Sequence, residues 1–494
     1  MNARLAGASA PNRASLAAAL RAAVPGMPVV DDEERLRPFE TDAFIAKRAT
    51  PLAAALPGDE GEVRAAVRAC ARLGVPIVSR GAGTGISGGA IPASDGLLLV
   101  MTRMNRLLAV DALARTATVE PGIRNLKVSE DVAITGLFYA PDPSSQAICS
   151  IGGNVAENSG GVHCLKYGLT THNVLAVRAV DAEGEVLELG ARALDAPGYD
   201  LLALMTGSEG NLGVITQVVV RLLPLPERTE TLLAAFPSVE QAARAVGEII
   251  GEGVVPAALE MMDRIVIEAC ERFMQMGFPT AAAALLLAEV DGSDAEAQAQ
   301  LDAIRAVLER CGATEVRVAA DAAQRAALWK ARKGAFTALA TIMPDFYTID
   351  GTIPRRCLPQ MLEDIARLAR DAGLLVGNVF HAGDGNLHPC IFYDAQKPGD
   401  WEKSEELGGR ILERCVEMGG TITGEHGVGV EKLRQMCVQF RAAELEAFHA
   451  VKRCFDPREL LNPGKAVPAL KRCAEWGGMH VHHGAMPHPR IPRF

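Results

Sequence analysis

The chain has 494 residues, more than one hydrophobic core usually supports, so at least two domains are expected. A hydrophobic share of 49% with 22% charged residues is that of a soluble globular protein, while a net charge of −10 and 4% aromatic residues argue against nucleic-acid binding, which needs clustered cations and stacking faces. No run approaches the ~20 apolar residues that span a bilayer, so any membrane contact is expected to be peripheral or through partners.

In chain order, Leu16, Leu20 and Val24 recur at helical spacing, and residues 1–46 read as an amphipathic first helix and lead-in rather than a transit peptide. A helix over 59–73 is capped by Asp59 and carries Val63, Val67 and Cys70 on one side. Strands follow at 75–78, 96–101, 117–120, 174–180 and 214–222, and glycine-dense stretches interrupt them at 151–168 and 207–213. Pro224-Leu225-Pro226 marks a boundary that closes a domain over 47–225. Beyond it, 238–252, 259–275, 293–312 and 320–341 read as helices and the apolar run Ala281–Val290 as a buried strand, within a second domain over 226–467. The tail, 468–494, is rich in His, Pro and Gly and reads as a partner-docking segment. The 11 cysteines are scattered, with no C-x-x-C pair. That speaks against a disulfide framework or an iron–sulfur cluster on this chain and favours a reducing, cytoplasmic setting.

The first glycine loop, Arg80-Gly81-Ala82-Gly83-Thr84-Gly85-Ile86-Ser87-Gly88-Gly89, follows a strand directly. Glycines let successive backbone N–H groups turn onto an anion and let a pyrophosphate approach closely. Gly83-x-Gly85-x-x-Gly88 formally satisfies the dinucleotide fingerprint, but no helix opens at its last glycine, so a Rossmann unit is excluded. Further loops dense in Gly, Ser and Asn follow: Pro141-Asp142-Pro143-Ser144-Ser145, Gly152-Gly153-Asn154 through Asn158-Ser159-Gly160-Gly161, Lys166-Tyr167-Gly168, and Gly207-Ser208-Glu209-Gly210-Asn211-Leu212-Gly213. Recurrence between strands points to one large ligand contacted many times. These segments, over roughly 45–225, resemble the FAD-binding domain of the vanillyl-alcohol oxidase/p-cresol methylhydroxylase flavoproteins. The resemblance implies that the first loop wraps the FAD pyrophosphate and that the later ones, with Ile215 beyond them, contact the rest of the cofactor. It also implies an α+β fold: a two-part FAD-binding domain, an α+β substrate domain and a C-terminal helical return to the flavin. Members with covalent flavin use a His in such a loop; Ala82 and Thr84 stand here instead, so non-covalent FAD is expected.

His381 and His388 flank Ala382-Gly383-Asp384-Gly385-Asn386-Leu387. A two-residue turn at Asp384-Gly385 would set the two histidines directly opposite, with Cβ atoms about 5 Å apart, close enough to share a metal. In Gly424-Glu425-His426-Gly427 the adjacent Glu and His diverge in extended backbone, so one can ligate while the other faces the substrate. With His426 in the second role, it takes the hydroxyl proton of a 2-hydroxy acid as the C2 hydride leaves for flavin N5. On spacing alone, a histidine pair across a hairpin is more often a structural contact. The hairpin, Gly-Glu-His-Gly and Phe455-Asp456-Pro457 through Asn462-Pro463-Gly464-Lys465 resemble the FAD-linked oxidase C-terminal domain, which D-lactate dehydrogenases, D-2-hydroxyglutarate dehydrogenases and the bacterial glycolate oxidase catalytic subunit share. This implies His381, His388 and Glu425 as ligands of a divalent metal, zinc ahead of manganese, with His426 as base, Arg332 for the substrate carboxylate and Asn462 near the flavin. Thr348 stands where the hydroxyglutarate enzymes carry a lysine, which favours a monocarboxylate. Glycolate oxidation with electrons passed to an iron–sulfur subunit, beside a second FAD-binding subunit, is the first expectation. A D-lactate dehydrogenase and a non-catalytic FAD-binding subunit are the alternatives.

Overall fold

The computed structural model describes residues 11–193 and 197–469, so most of the expected docking tail lies outside the described residues. The chain divides into two compact units, one of Met1–Gly160, Leu169–Leu225 and Glu425–Phe494, the other of Gly161–Gly168 and Pro226–Gly424.

In the first unit, the helix Arg13–Ala23 buries Leu16, Ala17 and Leu20. Leu16 and Leu20 share a core with the helix Glu60–Leu73, which begins where Asp59 accepts from Glu62 N and ends at Gly74 in the left-handed region. Both cover a four-stranded sheet in the order Val29–Val30, Ala53–Ala55, Leu97–Val100, Ile77–Arg80, the last three parallel. The connection from Arg80 to Leu97 is loop rather than helix, which removes the Rossmann alternative. A five-stranded antiparallel sheet follows, with Val214–Arg221 at its centre between Thr116–Val119 and Val174–Val180. Asp456 ties the C-terminal return into this unit. Its carboxylate accepts from Leu460 N, Leu461 N and Lys452 Nζ, and Leu461 bridges Ile77 in parallel register.

The second unit is built on a nine-stranded sheet, in which Ala258–Asp263 lies between Ala284–Gly292 and Val376–His381. The helices Val239–Gly251 and Asp294–Arg310 fall where the apolar periodicity places them, as does the buried strand Ala284–Gly292. Two readings are corrected. The run 259–275 is not one helix: Ala258–Asp263 is a buried strand, and Asp263 then accepts from Val266 N to start the helix Arg264–Met274. The helix over 320–341 breaks at Gly334 into Ala322–Lys333 and Ala335–Leu339.

Gly420 marks the tightest backbone approach of this unit. A Cβ there would sit 1.8 Å from Thr352 O, inside the ladder in which Thr352 and Thr421 exchange N–H···O bonds of 3.0 and 3.1 Å. Gly420→Ala must prise that ladder open. Overpacking of this kind costs about 1–3 kcal/mol, so a thermal melt should show a clearly lowered midpoint, and an unchanged midpoint would contradict this packing.

Candidate active site

Four segments of the first unit converge on a cradle. Arg80 folds back, donating from Nη1 to Thr41 O at 2.6 Å, and covers Gly83, where a Cβ would lie 2.2 Å from its Nη2. Burial pulls the Arg80 guanidinium below its ordinary range. Gly81 abuts Ser150, the N-cap of the helix Ile151–Glu157; a Cβ would stand 2.0 Å from Ser150 Oγ. That helix ends at Asn158 in the left-handed region, and Gly207 N and Glu209 N donate back to Val155 O and Ala156 O. Asn462 joins the rest: its N–H donates to Ile77 O, and its Nδ2 donates to Glu209 O at 2.6 Å and Gly89 O at 3.2 Å.

The cradle leaves polar atoms unsatisfied. Ser87 Oγ, Asn154 Nδ2, Glu157 Oε2 and Asn462 Oδ1 are buried without a hydrogen-bond partner among the described residues. Unpaired buried donors and acceptors are costly and rare in native proteins. Here they cluster along the glycine loops, which fits a large polar cofactor such as FAD. Burial, with Glu209 beside it, pushes the Glu157 carboxyl well above the ordinary range. Sequence reasoning passed over Glu157, which sits one residue from the assigned Asn158.

Not every assigned residue serves this cradle in the same way. Pro141 O accepts from Asn125 Nδ2, and Ser145 O accepts from Ile148 N and Cys149 N, so this loop is tied to neighbouring backbone. Gly213 lacks a Cβ where Ala179 and Met205 press close, and Ile215 lies in the apolar core. Gly161 and Gly168 belong to the second unit. Their segment is held there by His163 Nε2 against Glu289 at 3.1 Å and by Tyr167 Oη donating to Asp291 at 2.6 Å.

In the second unit the histidines meet, by a different register. His381 pairs with Asn386, not His388, and the turn spans 382–385. The two-residue turn fails because its backbone is taken by other elements. Gly383 N donates to Leu259 O, Arg355 Nη1 to Gly383 O, and Ile353 N to Gly385 O. His381 and His388 are therefore diagonal neighbours on one face, with ring centroids 5.0 Å apart and planes at 87°. Each offers a ligand nitrogen within 4.8 Å of the other's.

Both rings are held at Nδ1. His388 Nδ1 lies 3.3 Å from Ile349 O, which can only accept, so Nδ1 is the donor. His381 Nδ1 lies 2.8 Å from Glu260 Oε1. Burial alone would raise the Glu260 carboxyl, but His381 and Arg332 outweigh it and hold it below the ordinary range, so it accepts and His381 Nδ1 donates. Both rings are thus held through Nδ1, and Nε2 is the atom each could offer to a metal.

Arg332, on the helix Ala322–Lys333, is buried and pairs through Nη2 with Glu260 Oε2 at 2.5 Å. Its Nε and Nη1 have no partner among the described residues. Thr348 Oγ1 lies 3.6 Å from Cys390 Sγ. Asp350 offers a carboxylate oxygen within 4.8 Å of the His388 ligand atom and accepts from Thr423 Oγ1 at 2.6 Å and from Gly424 N at 3.0 Å. Gly424 packs on the hairpin, since a Cβ there would lie 2.5 Å from Asn386 Cγ.

At Glu425 the chain enters the first unit. Glu425 is nearly buried, His426 is one-fifth exposed, and their closest side-chain atoms are 3.8 Å apart. Val428 N and Gly429 N donate to the Glu209 carboxylate at 2.7 and 2.6 Å, and Lys432 Nζ donates to Gly427 O at 2.9 Å. The backbone after His426 is thereby fixed to the residue whose carbonyl receives Asn462.

A glycine-lined cradle with orphaned polar atoms in one unit, and oriented histidines in the other, fit an FAD-dependent oxidoreductase with the p-cresol methylhydroxylase type of fold. Residues 51–190 match the FAD binding domain family, and residues 225–466 match the FAD linked oxidases, C-terminal domain. The chain is 54% identical to the glycolate oxidase subunit GlcD of Escherichia coli (strain K12), over 98% of this chain and 97% of that protein. It is 32% identical to the D-lactate dehydrogenase of Anaerostipes hadrus, over 82% of this chain and 87% of that protein. Its fold superposes on p-cresol methylhydroxylase with a TM-score of 0.78 at 16% identity, over 93% of this chain and 97% of that one. The chain belongs to the FAD-linked oxidase family.

If the orphaned amide oxygen of Asn462 faces FAD, Asn462→Ala removes that contact together with the Nδ2 bonds to Gly89 and Glu209. The purified variant should retain less flavin per chain by visible absorbance. Full retention would show that this residue serves only the fold.

Proposed function

We propose that this chain is the catalytic FAD subunit of a 2-hydroxy acid dehydrogenase, with glycolate as substrate and glyoxylate as product. The observation that supports the reading is the pair of buried histidines, each held through Nδ1, in the same unit as an arginine with unspent donors. When bound, FAD supplies the acceptor for the C2 hydride and a divalent ion, zinc ahead of manganese, supplies a Lewis acid for the substrate oxygens. FAD is held non-covalently, because Ala82 and Thr84 stand where a linking histidine would.

His381, His388 and Glu425 are the ligands in this reading. Glu425 starts one Cα–Cα step, about 3.8 Å, beyond Gly424, which itself packs on the hairpin residue Asn386. His426 takes the hydroxyl proton, a role worth about 10²–10⁴-fold in rate. Arg332 binds the substrate carboxylate through Nε and Nη1. Thr348 offers no charge to a distal carboxylate, which favours a monocarboxylate. The E. coli relative is named as a subunit, and this chain carries no cluster motif. Electrons accordingly pass to an iron–sulfur partner in a complex with a second FAD-binding subunit, on the cytoplasmic side of the membrane. Among the described residues no helix is long and apolar enough to cross a membrane. D-lactate is the second candidate substrate, favoured by the Anaerostipes relative.

Anaerobic mixing with glycolate, D-lactate and D-2-hydroxyglutarate separates these readings. Glycolate should bleach the flavin fastest and the dicarboxylate least; no bleaching by any of them would leave a non-catalytic flavin subunit. His381→Ala should lose bound metal and most turnover while staying yellow. Full activity in that variant would make the histidine structural.

A further inference from the structure

We propose that Glu260 is a positioning residue whose single buried carboxylate sets both the metal-ligating His381 and the substrate-binding Arg332. This inference rests on the reading of the site given above. Glu260 stands in the strand Ala258–Asp263, among Leu259, Met261 and Met262, and is opposed by His381 on one side and Leu287 on the other. An acid in that apolar setting needs a reason. Taking a carboxylate and a guanidinium out of water costs several kcal/mol per ion, and an apolar pair of similar volume is often as stable or more so. Stability alone therefore does not account for the pair.

The division of its oxygens does. Oε1 receives His381 Nδ1 at 2.8 Å, which fixes the ring and leaves Nε2 as the ligand atom. Oε2 pairs with Arg332 Nη2 at 2.5 Å. Only that end of the guanidinium is spent, and Nε and Nη1, buried and unpartnered among the described residues, keep their donors for an anion. Strand register sets the His381 contact, and the helix Ala322–Lys333 delivers Arg332 to the other oxygen. The carboxylate thus fixes, relative to one another, the group that holds the metal and the group that holds the substrate. Loss of Glu260 must disturb both together, whereas a residue serving only the fold would leave metal affinity unchanged in any variant that folds.

The test uses the FAD-loaded protein and two variants, Glu260→Gln and the double variant Glu260→Gln/Arg332→Gln. Zinc affinity is read by competition with a chelator, FAD content by visible absorbance, and KM and kcat with glycolate. Glu260→Gln should weaken zinc about 10–100-fold, the usual effect of losing a partner behind a ligating histidine, and raise KM, with FAD content unchanged. Glu260→Gln strands the Arg332 charge and could fail to fold for that reason alone. The double variant leaves no unpaired ion and should fold with the same weakened zinc affinity. Wild-type zinc affinity in either folded variant overturns the inference. Absence of zinc or manganese binding by the wild-type protein overturns instead the metal reading on which it rests.

Discussion

The buried carboxylate of Asp350 accepts from Thr423 Oγ1 and Gly424 N, and those bonds decide where the chain leaves the second unit. A buried carboxylate needs several donors, and a segment that supplies them is held in place by that demand. The same short stretch has two other tasks. Ile349 O accepts from His388 Nδ1, and Thr352 exchanges backbone bonds with Thr421. Between Ile349 and Thr352, therefore, lie the orientation of one histidine and the exit path that ends one residue before Glu425. Gly420 and Gly424 follow from this. The ladder and the hairpin press so close that neither position has room for a side chain.

The first unit solves the matching problem at the other end of the segment. Asp456 gathers Lys452 Nζ, Leu460 N and Leu461 N, which holds Asn462 in the left-handed region with its amide on Gly89 O and Glu209 O. Lys465 Nζ donates to Gly89 O and Ile91 O, and burial pulls its ammonium down to about 8. Glu209 links the two ends of the return. Its backbone carbonyl receives Asn462, and its carboxylate receives Val428 N and Gly429 N just after His426. A displacement of the C-terminal return would thus be felt at the glycine loops and at the segment after His426 together, through one residue.

What the sequence disclosed depended on whether the controlling interaction was local. Asp59 and its helix were legible because a cap and its apolar face lie within fifteen residues. The glycine loops were legible through recurrence, and the resemblance followed from their order. The run 259–275 was misread because Leu259, Met262, Val266 and Ile267 also suit a helix, although Asp263 within it is the N-cap that divides strand from helix. The hairpin register was misread because Leu259, Ile353 and Arg355, distant in sequence, take the backbone of Gly383 and Gly385. The error did not separate the two side chains. A shift of two residues keeps side chains on the same face, so the histidines still meet. Glu260 and Asp350 went unseen because a lone acid in a short apolar stretch carries no motif; only burial and partners reveal its role.

The two histidines are not held alike, and the difference comes from what lies behind them. His388 donates its Nδ1 proton to a neutral carbonyl at 3.3 Å, His381 to an ionised carboxylate at 2.8 Å. A charged acceptor makes the stronger hydrogen bond and raises the basicity of the opposite nitrogen. A metal held by both would therefore draw more electron density from His381, the ring whose carboxylate also pairs with Arg332. The backbone carbonyl behind His388 carries no charge to share, so His388 can be oriented without being coupled to the arginine. The asymmetry originates in one strand register, Glu260 opposite His381.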